Sequence, residues 1–505
     1  MNPYIQYMYS YPHKTAYRPL TGIRLADCAD SLSGSGCGLY LHIPFCQMKC
    51  GYCNLFSVTG AGTEEMERYL DAVERQLNQY RRILEPAGTR FSDFTIGGGT
   101  PLLLNVRQLD RVFAMTESYL HFDENRSIVI ETAPNQTDRE KLQLLKGRGI
   151  TRVSMGIQSF CDRELETLRR GHSGKKALEA LELLLSFGFD CVNADFIYGI
   201  PGQTIQSLLE SLERAVSLGP QEIFLYPLYV KHGAGLEREL RDGMVLEPEK
   251  AFEQYREACG FLKSEGFRQD SMRRFVRRKS EGSRQGSIAQ IVRGKSAASQ
   301  QASMEQIIRG KSEHLRPFSE CGFGTSLALG CGGRSYVGNL HFCTPYAVTR
   351  QDCLRELYAY ENTQDFTAVT HGIVLSREEQ KRRYVIRHLL IRPGLDIGRY
   401  RERFGTEILK EFPLLSEWIE EGYLVQQSSP DEVGTNCGSG LRDVCCDPAQ
   451  RKAESGWLVL TDDGLGLSDY LGPQLISREI SEKMAEWETA HGQTNRPLMQ
   501  QFQTL

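Results

Sequence analysis

From Gly38 to about Val230 the chain alternates short runs of β-branched and aromatic residues with longer amphipathic stretches, each run bounded by turn residues. That alternation commits it to parallel strands joined by crossover helices, because parallel neighbours cannot be linked by a tight hairpin turn. The strand candidates are Leu39–Ile43, Asp93–Ile96, Ser127–Glu131, Arg152–Ile157, Cys191–Ile197 and Ile223–Leu228. Within Glu65–Leu84, residues Met66, Tyr69, Leu70, Val73, Leu77, Tyr80 and Leu84 fall near helical spacing, which predicts a helix covering a sheet. Thr137 followed by Glu140 reads as a capping box ahead of Leu142, Leu144 and Leu145, and Ala177–Phe187 is a further apolar helix. The predicted fold class is α/β, a partial (β/α)6 TIM-like barrel over residues 38–230.

The rest of the chain divides around that barrel. Residues 1–37 form an arm with Tyr4, Tyr7, Tyr9, Tyr11 and Tyr17 strung through polar sequence, either a flexible leader or a strap on the next domain. Residues 231–345 extend the barrel and contain a low-complexity insertion, 277–316, in which Ser287–Ser296 (SIAQIVRGKS) returns almost unchanged as Ser303–Ser312 (SMEQIIRGKS). So few large apolar groups cannot offset the entropy of ordering it, so it reads as a solvated linker more than as a basic patch for RNA or an acidic partner. Cys321–Gly338 is rich in glycine and suits tight turns against a ligand or a neighbouring backbone. Residues 346–505 read as a mostly helical domain: Gln380–Ile391, Ile397–Arg403 and Glu407–Glu420, then short strands at Gly422–Val425 and Trp457–Thr461. Three helices and a hairpin predict a winged-helix-like unit, with Cys437, Cys445 and Cys446 in an enlarged wing loop at about 427–455.

A chain of 505 residues, 40% hydrophobic, has the length and apolar content for two or three such units. Its 60 basic and 64 acidic residues leave a net charge of −4, which builds in no global attraction to nucleic acid or to anionic membranes. The N-terminus has no basic segment leading into an apolar one, and no apolar run long enough to span a bilayer occurs. Fifteen cysteines, an odd number in a long chain, do not read as a disulfide scaffold. The expectation is a soluble, cytoplasmic protein with its thiols reduced.

Three of those thiols stand apart. Cys46-x3-Cys50-x2-Cys53 follows the first strand directly, so the three sulfurs crowd one loop at a strand's C-terminal end. A structural zinc site wants four protein ligands, and no fourth is close in sequence. Three thiolates instead suit a [4Fe-4S] cluster whose fourth iron is left open to a small molecule bound through an amine and a carboxylate.

Tyr40–Phe56, YLHIPFCQMKCGYCNLF, resembles the cluster loop of the radical-SAM superfamily, and more narrowly the branch of oxygen-independent coproporphyrinogen III oxidases and haem chaperones. The resemblance runs from about 38 to 230, returns in the C-terminal domain and fails over the insertion. It implies that Cys46, Cys50 and Cys53 hold a [4Fe-4S] cluster. It implies also that S-adenosylmethionine is cleaved to methionine and a 5′-deoxyadenosyl radical, with an electron donor such as flavodoxin or ferredoxin. Further motifs then fall just past successive strands. Gly98, Gly99 and Thr100 lie in GGGTP, Glu131 in ETAPNQT, Gln158 in RVSMGIQSF, Arg170 in LRRGHS and Asp195 in NADFIYGIPGQT. By resemblance these residues and Tyr40 contact S-adenosylmethionine, Arg170 facing its carboxylate and Asp195 a ribose hydroxyl. Taken singly, Glu131 reads as well as a helix cap, Gln158 as a backbone partner and Arg170 as a surface arginine. Their shared placement on the C-terminal face of a barrel is what gives the set its weight. Tyr52 is expected to pack against the cluster.

The pattern departs from both relatives. Leu55 stands where the anaerobic oxidases carry a fourth cysteine, and Asn54 where the chaperones carry an acidic residue. The haem-ligand motif of the chaperones is missing. Three functions therefore remain open: a radical-SAM oxidoreductase acting on a porphyrinogen or another bulky anionic small molecule, with Arg273, Arg274 and Arg334 as carboxylate partners; a haem-binding chaperone, with His232, His341 or Cys343 as candidate axial ligands; and an iron–sulfur regulator binding nucleic acid through the tail, for which Arg382 and Arg383 are a poor basic footprint.

Overall fold

A computed structural model describes residues 2–8, 10–231, 233–278, 324–429 and 456–491. Six parallel strands, β1 (Cys37–Ile43), β2 (Phe91–Gly98), β3 (Phe122–Thr132), β4 (Arg152–Gln158), β5 (Cys191–Tyr198) and β6 (Glu222–Pro227), lie side by side in chain order. Each meets the next in parallel register. All six candidate strands are present; five contain the whole of the expected run, and β6 begins one residue before it and ends one residue short. Helix α1 (Thr63–Leu84) buries the whole predicted stripe, Met66, Tyr69, Leu70, Val73, Leu77, Tyr80 and Leu84, because a 3.6-residue period puts those positions on one face. Helix α2 (Arg139–Gly147) starts one residue later than the expected capping box: the Asp138 carboxylate accepts from the Lys141 amide. Thr137 instead donates to the Ala133 carbonyl.

The sheet continues past the barrel on both sides and totals 13 strands. On one side Arg274–Arg277 adds antiparallel to β6, and Phe267–Gln269 adds antiparallel to Arg274–Arg277 at the edge. On the other, β7 (Ser326–Leu329) runs parallel to β1, followed by β8 (Arg334–Val337), β9 (Leu340–Cys343) and β10 (His371–Val374) in antiparallel order. The stretch read as glycine-rich turns thus carries two strands in its described part, and Gly330 and Gly332, both at positive φ, make the bend between them.

The C-terminal unit has helix α3 (Arg377–Leu389), helix α4 (Ile397–Phe404) and helix α5 (Leu414–Glu420). They pack on an antiparallel sheet of Leu395–Asp396, Trp457–Leu460 and Leu424–Gln427. The first of these strands, only two residues long, carries too short a pattern to be predicted. The single helix expected over Glu407–Glu420 is broken at Phe412–Pro413, where proline lacks the amide to continue it. The arm is ordered: Tyr11 and Tyr17 are fully buried in a core shared with Trp418, Tyr400 and Leu471. Arg18–Pro19 pairs with β10. Among the described residues no helix is long and apolar enough to cross a membrane. Most of the insertion, His232, Cys321 and the wing-loop cysteines lie outside the described residues.

Candidate active site

The cysteine loop leaves β1 at the C-terminal mouth of the barrel and is tied down at several points. The Gly51 amide donates to the Leu168 carbonyl at 2.9 Å, its carbonyl accepts from the Leu236 amide at 2.6 Å, and the Cys53 amide reaches the Cys50 carbonyl at 3.1 Å. Gln136 donates to Gln47 at 2.8 Å, and Lys49 to the Val348 carbonyl. Burial is the main force pushing the Cys46 thiol up to about 12, and the neighbouring Cys53 and Cys50 add to it. Cys53 is raised by burial first and by Cys50 next. Cys46 and Cys53, both raised by burial, ionise readily only when a cation is placed beside them. Among the described residues no set of three His, Cys, Asp or Glu closes around a single metal ion. Three thiols on one loop suit a cubane, whose three thiolates bind three different irons.

The GGGTP turn follows β2 and lies against this loop. A Cβ at Gly99 would stand 2.6 Å from the Phe45 carbonyl oxygen and 3.0 Å from Cys46 Sγ, so only glycine lets the turn come this close. Thr100 Oγ1 donates to Cys46 Sγ at 3.7 Å. Gly98, at φ +120°, donates its amide to Glu131 Oε2 at 3.0 Å, and a Cβ there would meet the His42 ring. His42 lies in the YLHIPFC stretch, yet nothing in its spacing assigns it a role. Its Nε2 meets the Phe56 carbonyl at 2.9 Å, so Nδ1 is the acceptor facing Tyr40 OH at 3.2 Å, and burial takes the imidazole down to about 4.

On the neighbouring strands a polar row lines the barrel. Burial lifts Glu131 to about 7, with the Asp195 charge adding and the Gly98 amide opposing. Asp195 is raised to about 6, again by burial first, against hydrogen bonds from Asn193 at 2.7 Å and Ser154 at 3.4 Å. Gln158 sits at a break in the β4–β5 register and at φ +73°. Gln158 and Arg169 are the only non-glycine residues at positive φ among those described, and both adjoin the site, where such strain characteristically gathers. Arg170 is buried beside them: Nη1 donates to Cys50 Sγ at 3.0 Å and to Tyr52 OH at 3.5 Å, and Nη2 to the Gly156 carbonyl. Its Nε and the Oδ1 of Asn193 are buried without a protein partner. The three cysteines, Gly98, Gly99, Thr100, Glu131, Gln158 and Arg170 therefore gather toward the C-terminal ends of the barrel strands, with Tyr40 and Asp195 inside β1 and β5 and Tyr52 packed beside Arg170 and Cys50.

The other candidates fall elsewhere. Arg273 is buried, pairs with Asp469 and lies over the Tyr7 ring at 4.1 Å. Arg274 pairs with Glu222 and, at 3.0 Å, with Asp270. Neither cation is available to a substrate carboxylate without breaking an internal pair. His341 is 1% exposed and takes a 3.3 Å hydrogen bond from Arg383 Nε on its Nε2, and Arg382 donates to the Leu475 carbonyl. These two arginines are turned into the protein.

The sequence profile of the Radical SAM superfamily matches residues 40–215, so the chain carries a radical SAM domain; proteins of that superfamily bind a [4Fe-4S] cluster and S-adenosylmethionine. The heme chaperone HemW of Mycobacterium tuberculosis is 35% identical over 220 residues, 43% of this chain and 56% of its own length. This chain thus spans little more than half of that relative. The oxygen-independent coproporphyrinogen III oxidase of Escherichia coli is 24% identical over 412 residues, 81% of this chain and 84% of the oxidase. The solved structure of the Escherichia coli coproporphyrinogen III oxidase HemN superposes with a TM-score of 0.70 at 22% identity, over 95% of this chain and 97% of that one, which establishes a shared fold.

Proposed function

We propose, with the radical SAM domain as premise, that the protein is a radical SAM oxidoreductase. In this reading Cys46, Cys50 and Cys53 would hold a [4Fe-4S] cluster, and Tyr40, Gly98, Gly99, Thr100, Glu131, Gln158, Arg170 and Asp195 would contact S-adenosylmethionine. The observation that carries the reading is the Arg170–Cys50 contact beside a glycine turn pressed onto Cys46, which joins the thiol trio to a cradle free of side chains. When bound and reduced, the cluster supplies one electron to the sulfonium and so a radical that abstracts hydrogen from substrate.

The chain's own residues do the rest. Gly98 and Gly99 leave room for the methionine end, and Arg170 offers it a cation in a dry setting where charge-assisted bonds are strong. Glu131 and Asp195, both poised near neutrality by burial, become the acceptors for the ligand's amine and ribose hydroxyls. His42 holds Tyr40 in place through a neutral ring.

The substrate in this reading is a porphyrinogen or a related anionic small molecule, and the reason is extent. Similarity to the oxidase reaches across 412 residues, including the regions outside the barrel, whereas similarity to the chaperone covers 220. Haem carriage is the second reading, favoured by the higher identity, 35%, over the barrel. Anaerobic turnover with S-adenosylmethionine and reductant, with and without coproporphyrinogen III, separates the two. The oxidase reading expects 5′-deoxyadenosine release to rise on adding the porphyrinogen, together with decarboxylated product. Stoichiometric haem binding by absorbance without such stimulation supports carriage instead.

A further inference from the structure

Glu164 lies outside the cofactor residues, yet its side chain is buried, 3% exposed, in the short helix Asp162–Thr167. Its hydrogen-bond partners are neutral and come from three places. Ser159 Oγ donates to Oε2 at 2.6 Å, Gln203 Nε2 to the same oxygen at 3.0 Å, and Ser207 Oγ to Oε1 at 2.5 Å. Ser159 directly follows Gln158 at the end of β4, Gln203 belongs to the GIPGQT turn after β5, and Ser207 lies in the helix Ile205–Leu218. A buried acid held by neutral donors gains no ion-pair energy, and an apolar side chain fills the same space at a lower desolvation cost. What the carboxyl adds is direction, because its two oxygens hold three elements at set distances.

Two of those elements, and the helix itself, run on to the cofactor residues. Ser159 Oγ also accepts from the Cys161 amide at 2.9 Å, which closes the turn between the register break at Gln158 and the helix. The Gln203 carboxamide donates to the Ile197 carbonyl at 3.2 Å and accepts from the Ile200 amide at 3.4 Å, so it folds back the chain that leaves β5 two residues past Asp195. Gln254 braces the same turn: its Oε1 accepts from the Gly199 amide at 2.8 Å, and its Nε2 donates to the Gln203 carbonyl at 3.0 Å. From the helix, the Leu168 amide donates to the Glu164 carbonyl at 3.0 Å, and the Leu168 carbonyl accepts from Gly51 in the cysteine loop at 2.9 Å. The Arg170 amide donates to the Leu165 carbonyl at 2.8 Å, which sets where its guanidinium meets Cys50.

We infer that Glu164 is a positioning residue for the cofactor site. It sets the distance between the cysteine-loop side, through Leu168 and Arg170, and the strand-end side, through Ser159 and Gln203. A ligand gripped from both sides is sensitive to that distance, and a displacement of about 1 Å is enough to weaken such recognition. Methionine at 164 keeps the unbranched length and the burial but removes both acceptors, so the three donors lose their common centre. Glutamine keeps an oxygen for Ser159 and Gln203 and turns an N–H toward Ser207 Oγ, which is able to accept. Direction is therefore preserved in glutamine and lost in methionine. The inference rests on the proposed function only in taking S-adenosylmethionine as the ligand.

The test uses the full chain, as purified and after anaerobic reconstitution, as wild type, Glu164→Gln, Glu164→Met and Ser159→Ala. Amide hydrogen exchange is read at Gly51, Arg170 and Gly98, and S-adenosylmethionine affinity by equilibrium dialysis at equal iron content. Glu164→Met is expected to exchange about tenfold faster at Gly51 and Arg170 with Gly98 unchanged, and to bind S-adenosylmethionine about tenfold more weakly. Glu164→Gln is expected to return both readings to within about threefold of wild type. Wild-type exchange and affinity in Glu164→Met overturn the inference. So does equal acceleration at all three amides, which marks a general loss of stability. If Glu164→Met yields no soluble protein, Ser159→Ala decides: faster exchange at Arg170 with weaker binding supports the role, and wild-type values overturn it. Wild-type protein that binds no S-adenosylmethionine removes the proposed function, and the exchange pattern then decides the positioning role by itself.

Discussion

Arg170 Nη1 lies 3.0 Å from Cys50 Sγ while the same guanidinium reaches the Gly156 carbonyl, so one buried cation spans the cysteine loop and the end of β4. The guanidinium Nε is left without a protein acceptor. Replacing Arg170 by Lys keeps the charge and loses the fork. S-adenosylmethionine affinity is expected to fall about tenfold to a hundredfold, roughly 1.4–2.8 kcal/mol, by equilibrium dialysis. An unchanged affinity would place the ligand's carboxylate elsewhere.

Cys46→Ala, Cys50→Ala and Cys53→Ala are each expected to abolish bound iron after reconstitution, while Cys161→Ala retains it. Cys161 is the residue preceding the short helix Asp162–Thr167. Iron and sulfide assays decide this, and near-normal iron in the Cys50 variant removes the cluster assignment.

Gly99→Ala forces a Cβ to 2.6 Å from a backbone oxygen and 3.0 Å from Cys46 Sγ, neither of which yields as a flexible side-chain end does. The expected cost is about 1–3 kcal/mol in the cluster-free protein together with loss of cluster. A variant with wild-type melting temperature and iron content contradicts the close packing described.

Burial raises Glu131 to about 7 and Asp195 to about 6 in the ligand-free barrel. A raised carboxyl contributes stability that is fully present below its unfolded value and is lost as pH rises through the folded one. The ligand-free protein is therefore expected to melt lower at pH 8 than at pH 6, and Glu131→Gln to reduce that difference. Cofactor binding runs the other way, because an amine or hydroxyl donates to the ionised form. Affinity should be full above about pH 7 and fall as pH drops through 7 and 6, at about tenfold per unit for each proton that must leave. A flat pH profile in wild type contradicts the roles given to both carboxyls.

Asp469, fully buried, accepts from the Met8 amide at 3.0 Å and Tyr229 OH at 2.7 Å and pairs with Arg273. Asp469→Ala leaves that arginine unpaired, at about 3–5 kcal/mol, and frees the arm. Faster proteolysis within residues 2–20 is the expected sign.

The barrel was legible in the sequence because its strands alternate with helices at regular spacing, and the strand ends Glu131 and Gln158, with Asp195 inside the fifth strand, could be named as soon as the strands were placed. What stayed hidden depends on contacts between distant segments. Nothing local marks Arg273 as the partner of Asp469, 196 residues away, or His42 as the ring that steers Tyr40. The cap falls at Asp138, one residue past the expected Thr137, because two adjacent side chains are both able to cap. The break at Pro413 overrode an otherwise continuous helical pattern. Strands β7 and β8 were masked by the glycines of their own turn, whose lack of side chains erases the alternation that signals a strand.

The most direct test of the central claim is anaerobic: reconstituted wild type and Cys50→Ala are given S-adenosylmethionine and dithionite, and 5′-deoxyadenosine is quantified. The account predicts 5′-deoxyadenosine from wild type and none from the variant. No product from wild-type protein holding its full iron, or equal product from the variant, contradicts it.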